Sequence, residues 1–224
     1  MIMAAKSKKS TASRSKKSQS KSTPKILLFG RWDTSDVVVN DVSLKDYISL
    51  KPVVIPHTHG RHAKKHMAKK DVPIVERLVN KLMRSGQGSR KLGGRYIRGR
   101  GGCGKKLQAM KIVEEAFEIV EQKTGQNPVQ VLVDAIINSA PREDVVRVQM
   151  GGVFVPVAVD VSPLRALDVA LRNIALAAFS KSFNTKTSAA EALAEELIAA
   201  AQNDPKSFAV MRREEIERIA RQSR

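Results

Sequence analysis

Cys103 is the only cysteine in 224 residues, which excludes an internal disulfide and any metal cage built from several thiolates. Aromatic residues are scarce, at 4%, and no apolar run approaches the length of a membrane span. Residues 1–25 lack the apolar stretch that follows the charged start of a secretory signal. They prefer lysine to arginine and have almost no apolar face, so they also make a poor organelle transit peptide. A cytoplasmic, reducing compartment is expected. Paired carboxylates, a credible catalytic triad and a metal-ligand set are missing too, so neither an enzyme nor a cofactor or metal is expected.

What the chain does have is positive charge. Forty Lys and Arg against 22 Asp and Glu leave a net charge of +18 and a pI near 10.3, which favours a polyanionic partner such as nucleic acid. That charge is segregated. Residues 1–25 hold eight Lys/Arg, residues 57–70 hold five and residues 77–113 hold eleven, with no Asp or Glu in any of these windows. The remainder has 16 basic and 22 acidic residues, so the excess sits in the N-terminal half, as a binding face requires and general solubilising charge does not.

A hydrophobic fraction of 42% suffices for one compact domain, placed here at residues 26–224. Residues 1–25 are nearly all Lys, Ser, Ala and Thr, too polar to bury and too repulsive to collapse. They are expected to form a disordered basic tail in which Lys8, Lys9, Lys16 and Lys17 meet RNA; a mere solubility tail is the alternative.

The rest predicts a mainly α fold, a helical bundle with a projecting antiparallel β-ribbon. Val37 to Val39 have extended character. Asp71 reads as an N-cap with Pro73 in the first turn and Gly86 just past the end. On that helix Ile74, Val75, Leu78, Val79 and Leu82 share one side, leaving Arg77, Lys81 and Arg84 together on the other, free to meet phosphate. A second helix over 105–124 carries an apolar stripe including Val113, Phe117 and Val120, exposes Glu114, Glu118 and Glu121, and ends at Gly125. Asn127-Pro128 and Ser162-Pro163 open helices near 128–139 and 163–181. Ser188 with Glu191 forms a capping box, and Asp204-Pro205 opens a last helix. Between the helices, two valine-rich runs flank Gly151-Gly152 as a hairpin over about 144–161. Pro156 cannot donate a ladder hydrogen bond, so free edges and projection are expected; packing on the domain through Phe154 is the alternative.

The stretch from Gly86 to Gly104 contains eight of the 13 glycines and almost spells a phosphate-binding loop. Lys106 stands where magnesium would need Ser or Thr, and no buried strand precedes it, so nucleotide hydrolysis is not expected. The better reading is a flexible loop whose Arg95, Arg98, Arg100, Lys105 and Lys106 wrap a phosphate backbone. His57, His59, His62 and His66 have a spacing that could hold a metal. Arg61, Lys64 and Lys65 would repel a dication, however, so this segment, with Lys69 and Lys70, is assigned to RNA. Lys111, Arg142, Arg147, Gly151, Gly152 and Arg165 complete the candidate contacts. Cys103 lacks a nearby His or acid and is not a nucleophile candidate. The Glu/Arg pattern of residues 212–221, with Glu214/Arg218 and Glu217/Arg221 at i,i+4 spacing, reads as a solvated helix, with docking as the alternative.

Several strings together resemble one family. They are Pro-His-Thr-His-Gly-Arg-His-Ala-Lys-Lys at 56–65, Ile-Val-Glu-Arg-Leu-Val-Asn-Lys-Leu-Met at 74–83 and Asn-Pro-Val-Gln-Val-Leu-Val-Asp-Ala-Ile at 127–136, followed by Pro-Arg-Glu-Asp at 141–144, Val-Asp-Val-Ser-Pro-Leu-Arg at 159–165 and Ala-Leu-Ala-Glu-Glu-Leu at 192–197. They resemble the universal small-subunit ribosomal protein family, numbered seven in bacteria and five in eukaryotes. The long region before His57, the Gly-rich insertion and the ending Ala-Arg-Gln-Ser-Arg make the chain look archaeal in type.

The resemblance implies a structural constituent of the small ribosomal subunit. It implies binding to the 3′ major, or head, domain of the ribosomal RNA, nucleation of head assembly and contact with neighbouring proteins of the head and platform. The ribbon around Gly151-Gly152 would lie near the exit-site tRNA and the mRNA path. The family's bacterial members carry more arginine in this ribbon than Arg142 and Arg147 supply. An architectural DNA-binding protein, with a helical body, ribbon arm and basic tail, is the alternative.

Overall fold

The computed structural model describes residues 26–85, 91–92, 95–96 and 104–224. Among the described residues, seven helices and two antiparallel strand pairs are present. They are α1 (Val42–Lys45), α2 (Ile74–Met83), β1 (Lys91–Leu92), β2 (Arg95–Tyr96), α3 (Lys106–Thr124), α4 (Pro128–Ser139), β3 (Glu143–Met150), β4 (Val153–Asp160), α5 (Pro163–Ser182), α6 (Ala189–Ala201) and α7 (Phe208–Gln222). The expected basic tail and Gly86 lie outside the described residues. The β1–β2 pair places a short ladder within the Gly-rich stretch that was expected to be loop throughout.

Three helix starts follow from local chemistry. Asn127 caps α4 by accepting from the Val129 N–H at 3.0 Å, with Pro128 in the first turn. Pro163 fills the same role on α5 after Ser162. Ser188 and Glu191 close a reciprocal capping box on α6. Gly125 ends α3 in the left-handed conformation at φ 66°, its N–H bonding the Glu121 carbonyl.

Two starts differ from expectation. Asp71 closes a short 3₁₀ turn (Ala68–Asp71) and pairs with Lys51, so the residue preceding α2 is Pro73, whose carbonyl accepts from the Arg77 N–H. Asp204 only turns the chain, and Ser207 caps α7. Val37–Val39 form no strand; the Val38 backbone is held instead by the Gln130 side chain.

Helix α6 is the hub, packing against α3, α4 and α5. Its alanines at 190, 194 and 200 allow close approach, and Leu193 and Leu197 fill the space between the helices with Phe117, Leu132, Ile136, Leu167, Leu171 and Ile174. Each such fully buried leucine or valine contributes roughly 1.5–3 kcal/mol. One charge sits inside this layer. Glu196 on α6 is fully buried and accepts from Lys181 Nζ of α5 at 3.1 Å, Ser207 Oγ at 2.7 Å and the Ala209 N–H at 3.0 Å, so a single carboxylate joins three helices.

The ribbon β3–β4 is antiparallel, from Glu143 opposite Asp160 to Met150 opposite Val153. Gly151 and Gly152 both have positive φ, 57° and 87°, which the two-residue turn requires. The base of the ribbon rests on α7, and the Arg142 N–H donates to Glu217 there. Phe154 is 64% exposed and belongs to no core. On α7, Arg212 pairs with Glu215 and Arg213 with Glu214, in place of the expected i,i+4 pairs; Arg213 also donates to the Asn138 carbonyl.

Candidate nucleic-acid interface

The basic segment 57–70 holds only two short 3₁₀ turns, Arg61–Lys64 and the one that begins at Ala68, and its shape comes from what it is tied to. Glu76, on the first turn of α2 and only 1% exposed, accepts at one carboxylate oxygen from the Thr58 N–H and Thr58 Oγ1, each at 3.0 Å, and from Lys106 Nζ at 2.6 Å. The carboxylate thus binds the segment to the start of α3. His59 and Gly60 turn the chain with φ of 52° and 71°, and the His59 N–H donates to His57 Nδ1 at 2.9 Å. The two imidazoles lie 4.0 Å apart between centroids. Burial, then the nearby charge of Lys106 and the His59 ring, lower the pKa of His57 below the ordinary histidine value. This agrees with a neutral ring accepting at Nδ1. A concavity of about 430 Å³ is lined by His57, Thr58, Arg61, His62, Lys65 and Asp71 among others. Arg61, Lys64, Lys65, His66 and Lys70 are exposed around it, and His62 is half-buried.

A second carboxylate organises the other end. Asp168 of α5 receives Lys69 Nζ, Arg77 Nη2 at 3.1 Å and Lys81 Nζ at 3.5 Å, while Arg77 Nη1 reaches the Tyr47 carbonyl at 3.3 Å. Burial would raise the pKa of Asp168, but the Lys69 hydrogen bond and the charges of Lys81 and Arg77 overcome it and hold it below the usual carboxylate range. Burial in turn lowers Lys81, and the like charges of Lys69 and Arg77 add to that against the pull of Asp168.

The exposed basic face expected on α2 is therefore corrected. Arg77 is 3% exposed and faces the bundle, Lys81 is half-buried beside the same acid, and only Arg84 stands free of the packing. Helical spacing had put Arg77 opposite the apolar stripe, but α5 covers that side as well and supplies the acid that makes burial tolerable. Asp168 is the sole acid in α5, whose other charges are all basic, and that isolation was the signal that could have revealed it. Thr58 and Glu76 went unremarked too.

Other candidates divide. Lys105 and Lys111 are exposed, whereas Lys106 is largely buried against Glu76. Arg142 is tied to Asp41 and to Ser43 Oγ, and Arg165 to Asp144 at 3.3 Å; Arg147 is exposed on the ribbon below Gly151 and Gly152. The side chain of Arg95 is not described. Lys8, Lys9, Lys16, Lys17, Arg98 and Arg100 lie outside the described residues, as does Cys103. The acidic side of α3 is not simply solvated, since Glu118 pairs with Arg31 and Glu121 accepts from Trp32 Nε1 at 2.9 Å, anchoring residues 28–32. Among the described residues, no cluster of three or more His, Cys, Asp or Glu could hold a metal ion, and no helix is long and apolar enough to cross a membrane.

This arrangement offers a cationic surface shaped by buried acids. Comparison with known proteins identifies its kind. The family described as ribosomal protein S7p/S5e matches residues 44–224. The chain belongs to this family. It is 51% identical over 199 residues to the small ribosomal subunit protein uS7 of Archaeoglobus fulgidus, an alignment covering 89% of this chain and 95% of that protein. It is 48% identical over 197 residues to the protein of the same name from Methanococcoides burtonii, covering 88% and 98%. As a member of the S7p/S5e family the chain is a ribosomal protein of the small subunit, structural and RNA-binding in role and not an enzyme. Both relatives are archaeal, in keeping with the archaeal character of its sequence.

Proposed function

We propose that the chain binds the 3′ major, or head, domain of small-subunit ribosomal RNA, nucleates assembly of the head and meets neighbouring proteins of the head and platform. The observation that carries this reading is the segment 57–70, five Lys/Arg without an acid, held in one shape by Glu76 and Asp168. Ordering before binding matters, because a loop already fixed loses little further entropy when it meets a phosphate backbone. Arg61, Lys64, Lys65 and Lys70 are its exposed charges, extended by Arg84, Lys105 and Lys111. The ribbon, with Arg147 exposed and a slim Gly-Gly tip, lies near the exit-site tRNA and the mRNA path.

Binding of the purified chain to separate RNA fragments spanning each domain of the small-subunit RNA tests the first part. The head-domain fragment should bind at least about tenfold more tightly than the others at equal salt. Equal affinity for all fragments would reduce the interaction to bulk charge and defeat the proposal.

A further inference from the structure

The ribbon carries a surface that phosphate cannot use. In its register, Val146/Val157, Val148/Val155 and Met150/Val153 share one side with Val159 and, opposite it at the base, Asp144, which Arg165 pairs at 3.3 Å; Arg147 and the Gln149/Phe154 pair lie on the other side. Those seven aliphatic residues are 38–66% exposed and form an unbroken strip along the ribbon. The strip offers no hydrogen-bond donor, and residues 143–160 hold three carboxylates (Glu143, Asp144, Asp160) against Arg147, a balance of −2 within a chain of +18. Apart from Arg147, which lies on the other side, the ribbon is locally the wrong sign for RNA.

We infer that in the RNA-free chain this aliphatic side docks onto the same side of a second copy, ribbon on ribbon. A two-fold contact needs a patch complementary to itself, and a strip of valines and one methionine, whose single charge, Asp144 at the base, is already paired with Arg165, meets that condition. The strip exposes roughly 500 Å² per copy, about 1,000 Å² for the pair, the size at which specific contacts begin. Charge permits the arrangement. The strands are eight residues long, about 26 Å at ~3.3 Å per residue, so tip-to-base overlap holds the two basic bodies farther apart than the ~8 Å screening length. It also brings each acidic ribbon toward the other copy's basic body. The contact is independent of where the chain binds RNA.

Sedimentation velocity of the full, nucleic-acid-free chain tests it, across about 1–200 μM in moderate salt. The expected result is a monomer–dimer equilibrium with Kd of about 1–100 μM, abolished in V148E/V155E without change in the thermal melt. V148T/V155T, which keeps shape and strand propensity, should weaken the dimer by about tenfold. A wild-type chain that stays monomeric throughout overturns the inference, as does a dimer that persists in V148E/V155E. A monomeric wild type whose affinity for the head-domain RNA falls in V148E/V155E would give the strip to RNA instead.

Discussion

The two surfaces that leave the helical bundle are built on opposite plans. Segment 57–70 has only two one-turn 3₁₀ pieces and no α-helix or strand, yet two carboxylates, Glu76 buried and Asp168 mostly so, fix it to α2, α3 and α5. The ribbon is a regular ladder of eight paired positions whose ties to the body are confined to its base, through Arg142, Arg165, Arg224 and the contact with α7. Order in the loop is thus tertiary and electrostatic, while order in the ribbon is local and needs only strand propensity and a Gly-Gly turn. Charge alone would have ranked the loop as the floppier of the two.

The largest test of this contrast is Glu76→Ala. It strands Lys106 Nζ and Thr58 without their partner in a buried place, so we expect a loss of about 3–5 kcal/mol in urea unfolding. Glu76→Ala with the stability of the wild type would mean that the loop is held by something else. Next comes the quadruple change of Arg61, Lys64, Lys65 and Lys70 to Ala. It should leave the melt unchanged and reduce the slope of log K against log salt for the head-domain RNA by about 3. An unaltered slope would remove the loop from the interface.

Acid should act through Asp168. Its folded pKa lies below its unfolded value, so the stability it contributes is present above about pH 4 and is lost as pH falls through the folded pKa. Asp168→Asn should flatten the acid limb of the stability profile measured by denaturant titration, and a variant with the same acid limb would deny Asp168 that role. The smallest effect belongs to the ribbon. Phe154→Ala should change stability by less than about 0.5 kcal/mol, where a core phenylalanine would lose about 3–5. A large loss there would make the ribbon a packed element and erase the contrast.

What could be read from the sequence was what a few neighbouring residues decide. The Ser188/Glu191 box, Asn127-Pro128, Gly125 and the Gly151-Gly152 turn each satisfy backbone groups within their own reach, and each element starts or stops there. Ser207 was missed as the cap of α7 because Asp204-Pro205 gives a similar signal three residues earlier. In the interface, the exposed charges of residues 61–70 were legible as a run. The burial of Arg77 was not, because its partner Asp168 lies 91 residues away and periodicity within one helix carries no information about what packs on it. Lys106, read as a phosphate ligand, is occupied by Glu76 for the same reason.

Glu196 bears on how the chain reaches this fold during synthesis. Its acceptors are filled from α5 behind it and from residues 207–209 ahead of it, so the hub helix cannot seal its charged side until α7 has emerged and docked. A nascent chain halted before Ser207 holds a carboxylate that must keep its water. Completion of the C-terminal helix is therefore the event that closes the bundle, and a truncated product stays open and within reach of proteases.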